Sequence, residues 1–102
     1  MVTAEISVIP MDTCATSSSD IIAEAERVFS RHPDVKNSIT AMGTELESND
    51  INKLFDVLKE MRQASFNHSA KRIYTIIKID DRRDKESTLE QKVKSVSEKI
   101  RH

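Results

Sequence analysis

Apolar positions alternate most clearly between Lys71 and Asp84, where the chain reads KRIYTIIKIDDRRD. Ile73, Thr75, Ile77 and Ile79 fall on one face of an extended chain, and Tyr74, Ile76, Lys78 and Asp80 on the other. β-Branched residues at this density favour a strand, and its continuously apolar face needs a core. The opposite face mixes an aromatic, a base and an acid, which suits a wet face, a pocket wall or a contact between copies. Val2 to Pro10 alternates in the same way, with Ala4, Ile6 and Val8 set against Glu5, Ser7 and Ile9. Pro10 lacks a ladder donor and ends the pairing.

Between these strands the period changes. After a small polar loop, Met11 to Ser19, Ser17 and Asp20 have the spacing of a capping box. Ile21, Ile22, Ala25, Val28 and Phe29 then form one helical stripe, stopped by Pro33, which disfavours helix at His32. Lys36 to Met42 reads as a weaker strand with Ile39 as its clearest core residue. Gly43, the one glycine in the chain, is expected at a bend or bulge whose backbone angles other residues resist. Thr44 to Glu47 continues extended, with Leu46 inward and Glu45 and Glu47 outward. Ser48 or Asn49 is expected to cap a second helix, whose stripe is Ile51, Leu54, Phe55, Leu58, Met61 and Phe66. After the strand at Lys71, Ser87 and Glu90 make a capping box for a last helix with a narrow stripe of Leu89, Val93, Val96 and Ile100.

The order β-α-β-β-α-β followed by α predicts an α+β fold of the ferredoxin-like type. It comprises a four-stranded antiparallel sheet, two helices on one face, and a C-terminal helix. The first strand should lie between the third and the last. Glu5, Ser7, Glu45, Glu47, Tyr74, Ile76 and Lys78 should share the second, uncovered face, which is either solvated or covered by another subunit.

At 102 residues the chain makes a single domain, residues 1–102, burying roughly two-thirds of its unfolded surface. That suits one core and not a deep multi-layer cleft. The charged fraction is 32% but the net charge is only −1, which gives a nucleic-acid partner no support. The halves differ: residues 1–52 carry three bases and nine acids, and residues 53–102 thirteen bases and eight acids. Such opposition suits self-association, or simply solvated helix faces. Cys14 is a lone cysteine, so an intrachain disulfide is excluded and a cytoplasmic location is expected. The apolar runs are too short to span a membrane, and no signal peptide is expected.

Catalytic patterns are absent from this reading. His32, His68 and His102 lack ligand-spaced partners, Cys14 has no neighbouring histidine, and a single glycine cannot build a phosphate loop. No cofactor and no catalysis are expected. Asp80 to Asp84, DDRRD, is either a charge network pinning the last strand to the last helix or an anion holder through Arg82 and Arg83. Glu5, Glu45 and Glu47 on adjacent strands repel one another unless hydrated or compensated by Lys78 or a cationic ligand.

The stretches AEISVIP (4–10), TCATSSS (13–19), MGTELE (42–47), AKRIYTIIKIDDRRDKE (70–86) and the closing KVKSVSEKI together resemble the thiamine-binding-protein-like family of small stand-alone domains. One departure is Asp12, where the family usually has glycine. The resemblance implies a ferredoxin-like fold assembled into homodimers or homotetramers, binding thiamine or its hydroxymethylpyrimidine portion in storage, salvage or sensing. The alternative is an oligomeric structural or regulatory module with no small ligand. The residues compatible with a cationic, ring-bearing ligand are Glu5, Ser7, Thr44, Glu47, Tyr74 and Lys78. Glu47 is the expected charge partner, since it matches the family's GTxxE pattern, and Tyr74 the expected ring-stacking residue.

Overall fold

The computed structural model describes residues 1–11, 19–67, 70–84 and 88–101. Cys14, Ser17, His68, Ser87 and His102 lie outside them. The elements follow the expected order: β1 (Val2–Pro10), α1 (Ser19–Glu26, continued by a 3-10 turn at Arg27–Arg31), β2 (Lys36–Ile39), β3 (Thr44–Ser48), α2 (Ile51–Ala64, with a 3-10 turn at Ser65–Asn67), β4 (Ile73–Asp81) and α3 (Leu89–Ile100). The four strands form one antiparallel sheet in the order β2-β3-β1-β4, the ferredoxin-like arrangement.

β1 is the central strand. It pairs with β4 over its full length, from Val2↔Asp81 to Pro10↔Ile73, but with β3 only from Val2↔Ser48 to Ile6↔Thr44. Side-chain alternation then sorts the faces. Val2, Ala4, Ile6 and Leu46 point to the helices and are buried with Ala25, Val28, Leu54, Val57, Leu58 and Met61. The stripe of α2 is therefore Leu54, Val57, Leu58 and Met61, at the i, i+3, i+4, i+7 spacing of one face. Phe55, expected in that stripe, lies one position off it and is 50% exposed.

The sheet edges depart from the expected core. Ile39 on β2 is 61% exposed, because β2 is an edge strand beyond the helix layer. Ile77 and Ile79, on the helix-facing side of the opposite edge strand, remain 42% and 40% exposed. α1 and α2 pack over the inner strands and leave β4 without a roof.

The second face is not wholly uncovered. α3 begins at a capping box one residue later than expected: Thr88 Oγ1 accepts from the Gln91 N–H (3.0 Å) and Gln91 Oε1 from the Thr88 N–H (3.1 Å). Both spacings fit the motif, but this one frees the Leu89 N–H to donate to Glu47 Oε2 at 3.0 Å. Lys92 reaches across to Asp80 on β4. Under this first turn Thr3 and Glu47 are buried, whereas Val93, Val96 and Ile100 farther along stay exposed. The cap of α2 is likewise shifted, to Asp50, which accepts from the Asn52 N–H at 2.9 Å. A carboxylate there gains from the helix dipole, while Ser48 Oγ accepts from the Asp50 N–H.

Gly43 sits in the β2–β3 turn, and the reason for glycine is space. A Cβ there would meet Ser7 Oγ at 2.7 Å and the Ile6 carbonyl oxygen at 3.0 Å. Thr40 braces the turn, its Oγ1 donating to the Gly43 carbonyl (2.8 Å) and accepting from the Gly43 N–H (3.1 Å). Gly43→Val should destabilise the protein by about 1–3 kcal/mol, the usual cost of overpacking. Urea denaturation checks this, and an unchanged midpoint would mean the turn moves freely away from β1. Glu47→Ala should cost about 1–3 kcal/mol by removing the charged acceptor of a part-buried N–H and should speed amide exchange in the first turn of α3. Glu47→Gln retains an acceptor oxygen and should preserve most of that protection.

Candidate functional site

The mismatch in strand lengths creates the site. Ladder pairing of β3 with β1 stops at Ile6↔Thr44, where the Thr40–Gly43 turn packs against Ser7, yet β1 runs on to Pro10. Ser7 and Ile9 turn their backbone groups to β4, so the β3-facing backbone of Val8 opens onto a cavity of about 360 Å³. Its walls are Ile6, Val8, Ile22, Ala25 and Met61, with Ile9, Ile76 and the turn residues toward its mouth. Polar groups enter at few points. Ser7 Oγ donates to the Met42 carbonyl at 2.9 Å. The buried Thr44 donates its hydroxyl to Glu26 Oε1. Glu26, the last residue of α1, is the one ionisable side chain among the described residues lining the cavity.

Among the described residues this is a small apolar chamber with one carboxylate, three hydroxyls (Ser7, Thr40 and Thr44) and a strand flank whose backbone β3 does not pair. A carboxylate in such surroundings favours a cationic or donor-rich ligand, because an unpaired charge near apolar walls is costly. The Thr44 hydroxyl satisfies one carboxylate oxygen and orients the other.

The six residues singled out in the sequence divide among different places. Ser7 and Thr44 line this cavity together. Glu5 and Lys78 meet on the second face, Nζ to Oε1 3.9 Å, with Glu45 directly opposite Glu5. Tyr74 is 55% exposed and pairs with Ile9 at the outer end of β1. Glu47 lies apart from all of these, 8% exposed and engaged by the first turn of α3. Beside it, a shallower groove of about 620 Å³ separates α3 from β2 and β3, with Lys36, Glu45, Glu90, Lys94, Glu98 and Arg101 along it. Glu26 was missed in the sequence because it reads as a solvent-side residue next to Ala25. The available signal was its place four residues after Ile22, on the flank of the apolar stripe.

DDRRD is a local network. Arg82 grips Asp84 through Nε (2.7 Å) and a terminal nitrogen (3.1 Å), and Arg83 lies 3.3 Å from Asp81. The hydrogen bond from Lys92 lowers the pKa of Asp80, so this tie between β4 and α3 is intact above the ordinary carboxylate pKa. It is lost only as pH falls below that value. Among the described residues no group of three or more His, Cys, Asp and Glu is placed to hold a metal ion, and no helix is long and apolar enough to cross a membrane.

A UPF0045 protein of Methanothermobacter thermautotrophicus is 43% identical, the match covering 98% of this chain and all of that protein. The UPF0045 protein YqgV of Bacillus subtilis is 33% identical over 98% of each. The crystal structure of a hypothetical protein from Methanocaldococcus jannaschii superposes with a TM-score of 0.83 at 37% identity, covering 95% of this chain and 96% of that one. A Thermotoga maritima protein named for a proposed role in thiamine biosynthesis or salvage shares the fold, with a TM-score of 0.71 at 24% identity over 93% and 97% of the two chains. Residues 4–97 match the model of the family described as thiamine-binding protein, and the chain belongs to that family.

Proposed function

We propose that the protein is a non-catalytic binder of thiamine or of its hydroxymethylpyrimidine portion, held in the cavity between α1, the outer half of β1 and the β2–β3 turn. The observation that carries this reading is the Glu26–Thr44 pair set in apolar walls. An aminopyrimidine presents donors and acceptors along one edge, as a strand does. The Val8 N–H and C=O supply the complementary backbone edge, and Glu26 accepts from the exocyclic amine or balances the thiazolium charge. Ser7 and Thr44 keep the roles expected of them. Tyr74 pairs with Ile9 on the β4 side of β1 and is not among the described residues lining the cavity, so no contact with the ligand is assigned to it. The charge partner moves from Glu47 to Glu26, because the Glu47 carboxylate already serves the first turn of α3. Family membership supports the ligand class. A role in storage, salvage or sensing in the cytoplasm fits a site with a ligand-sized chamber.

The exposed apolar flanks of β4 and the uncovered stripe of α3 favour a second element of this reading, that the protein works as a homo-oligomer. Isothermal titration calorimetry tests the ligand. The parent should bind thiamine or hydroxymethylpyrimidine. Glu26→Gln, which keeps the bond from Thr44 but removes the charge, should weaken binding by about 1.5–3 kcal/mol, the scale of a charged hydrogen bond. Glu47→Gln should leave it nearly unchanged. Absence of heat with the parent at millimolar concentrations of both compounds would overturn the assignment.

A further inference from the structure

We propose that β4 is a self-complementary edge that docks against β4 of a second copy, in one register centred on Ile76. This rests on the homo-oligomeric reading above and adds its surface and alignment. β4 is the terminal strand of the sheet, nine residues long, with its outer flank away from β1. Its two faces carry half-exposed Ile77 and Ile79 on one side and Tyr74 and Ile76 on the other. A long, apolar, uncovered edge is a template for another strand, and such edges are ordinarily blunted. Here the charges lie at the two ends of the apolar run, bases before it and acids after it.

That distribution selects the partner. A two-fold axis perpendicular to the sheet places antiparallel strands so that opposed residues share a face. With Ile76 opposite Ile76 of the second copy, Thr75 meets Ile77, Tyr74 meets Lys78, Ile73 meets Ile79, Arg72 meets Asp80 and Lys71 meets Asp81, each pair occurring twice. The apolar pairs fall on the helix-facing side, Lys78 lies beside an aromatic ring, and opposite charges face each other at both ends. Shifting the centre to Ile77 sets Arg72 against Arg82 and Lys71 against Arg83. Shifting it to Thr75 sets Arg72 against Lys78. Repulsion therefore disfavours the neighbouring registers, and the sequence of one strand encodes its own alignment. Asp80 and Asp81 also hold Lys92 and Arg83 of their own chain. A carboxylate has two oxygens and lone pairs for more than one donor, so the two sets of contacts are compatible.

Light scattering across a concentration series should show the parent associating, with Arg72→Glu and Asp80→Arg each self-associating about tenfold more weakly or worse, since each creates like-charge opposition twice. Mixed in equal amounts, the two variants should form heterodimers, because both ends then carry opposite charges. In a Cys14→Ser background, Ile76→Cys should cross-link two copies on oxidation and Lys78→Cys should not. Thermal melts establish that each charge variant is folded; if one is not, the cysteine pair decides the register alone. A strictly monomeric parent at high micromolar concentration would overturn both this inference and the homo-oligomeric reading. If the parent associates while the charge variants associate as well as the parent, or Lys78→Cys cross-links in place of Ile76→Cys, this edge and register are overturned and the homo-oligomeric reading stands. Thiamine binding is measured separately and bears on neither.

Discussion

The pairing of β1 with β4 is the constraint on which the rest of the molecule depends. It joins the first and last strands along nine consecutive positions and puts β1 at the centre of the sheet. Once β1 is central, Val2, Ala4 and Ile6 have helices above them and become core, and Leu46 on β3 completes the floor. The same pairing carries β1 past the end of β3, and that overhang gives the cavity its backbone wall. Fold and site thus share one cause, a long strand between one long neighbour and one short one.

Electrostatics divides the second face into parts. Glu47 is buried and useful because α3 brings an unpaired helix N–H to it, an arrangement that suits a carboxylate at a helix N-terminus. Glu5 and Glu45 oppose each other in the ladder, with the ammonium of Lys78 3.9 Å from Glu5; partial exposure to water is what makes this tolerable. Asp80 takes a third course, tied to Lys92 and so linking β4 to α3. Four carboxylates on adjacent strands thus take three courses, set by what lies above each.

Period and capping made the elements legible from the sequence, and the antiparallel order followed from their succession. What could not be read was where the two-helix layer would end. Ile39, Ile77 and Ile79 carry the pattern of core residues, but two short helices roof only the inner strands, and width is not encoded in alternation. Phe55 misled because a large aromatic next to a stripe looks like part of it, while Val57 supplies the actual contact. Gly43 was recognised as special for the wrong cause: the restriction comes from Ser7 and Ile6 across the sheet, a contact between distant segments. Of the cavity, Ser7 and Thr44 were legible as polar positions on strands. Glu26 was not, since its role depends on Thr44 lying opposite a helix eighteen residues earlier in the chain.

The central place of β1 also bears on how the chain reaches its native state. Its longest ladder joins segments near opposite ends of the sequence, so almost the whole chain must be gathered before those contacts repay the lost entropy. β1 can pair earlier with β3, and α1 and α2 can settle on that two-strand platform. β4 arrives last and closes the sheet on its far side. During synthesis the β4-facing flank of β1 therefore remains an open edge until the final third of the chain has emerged. This is the interval in which the molecule is most exposed to wrong partners.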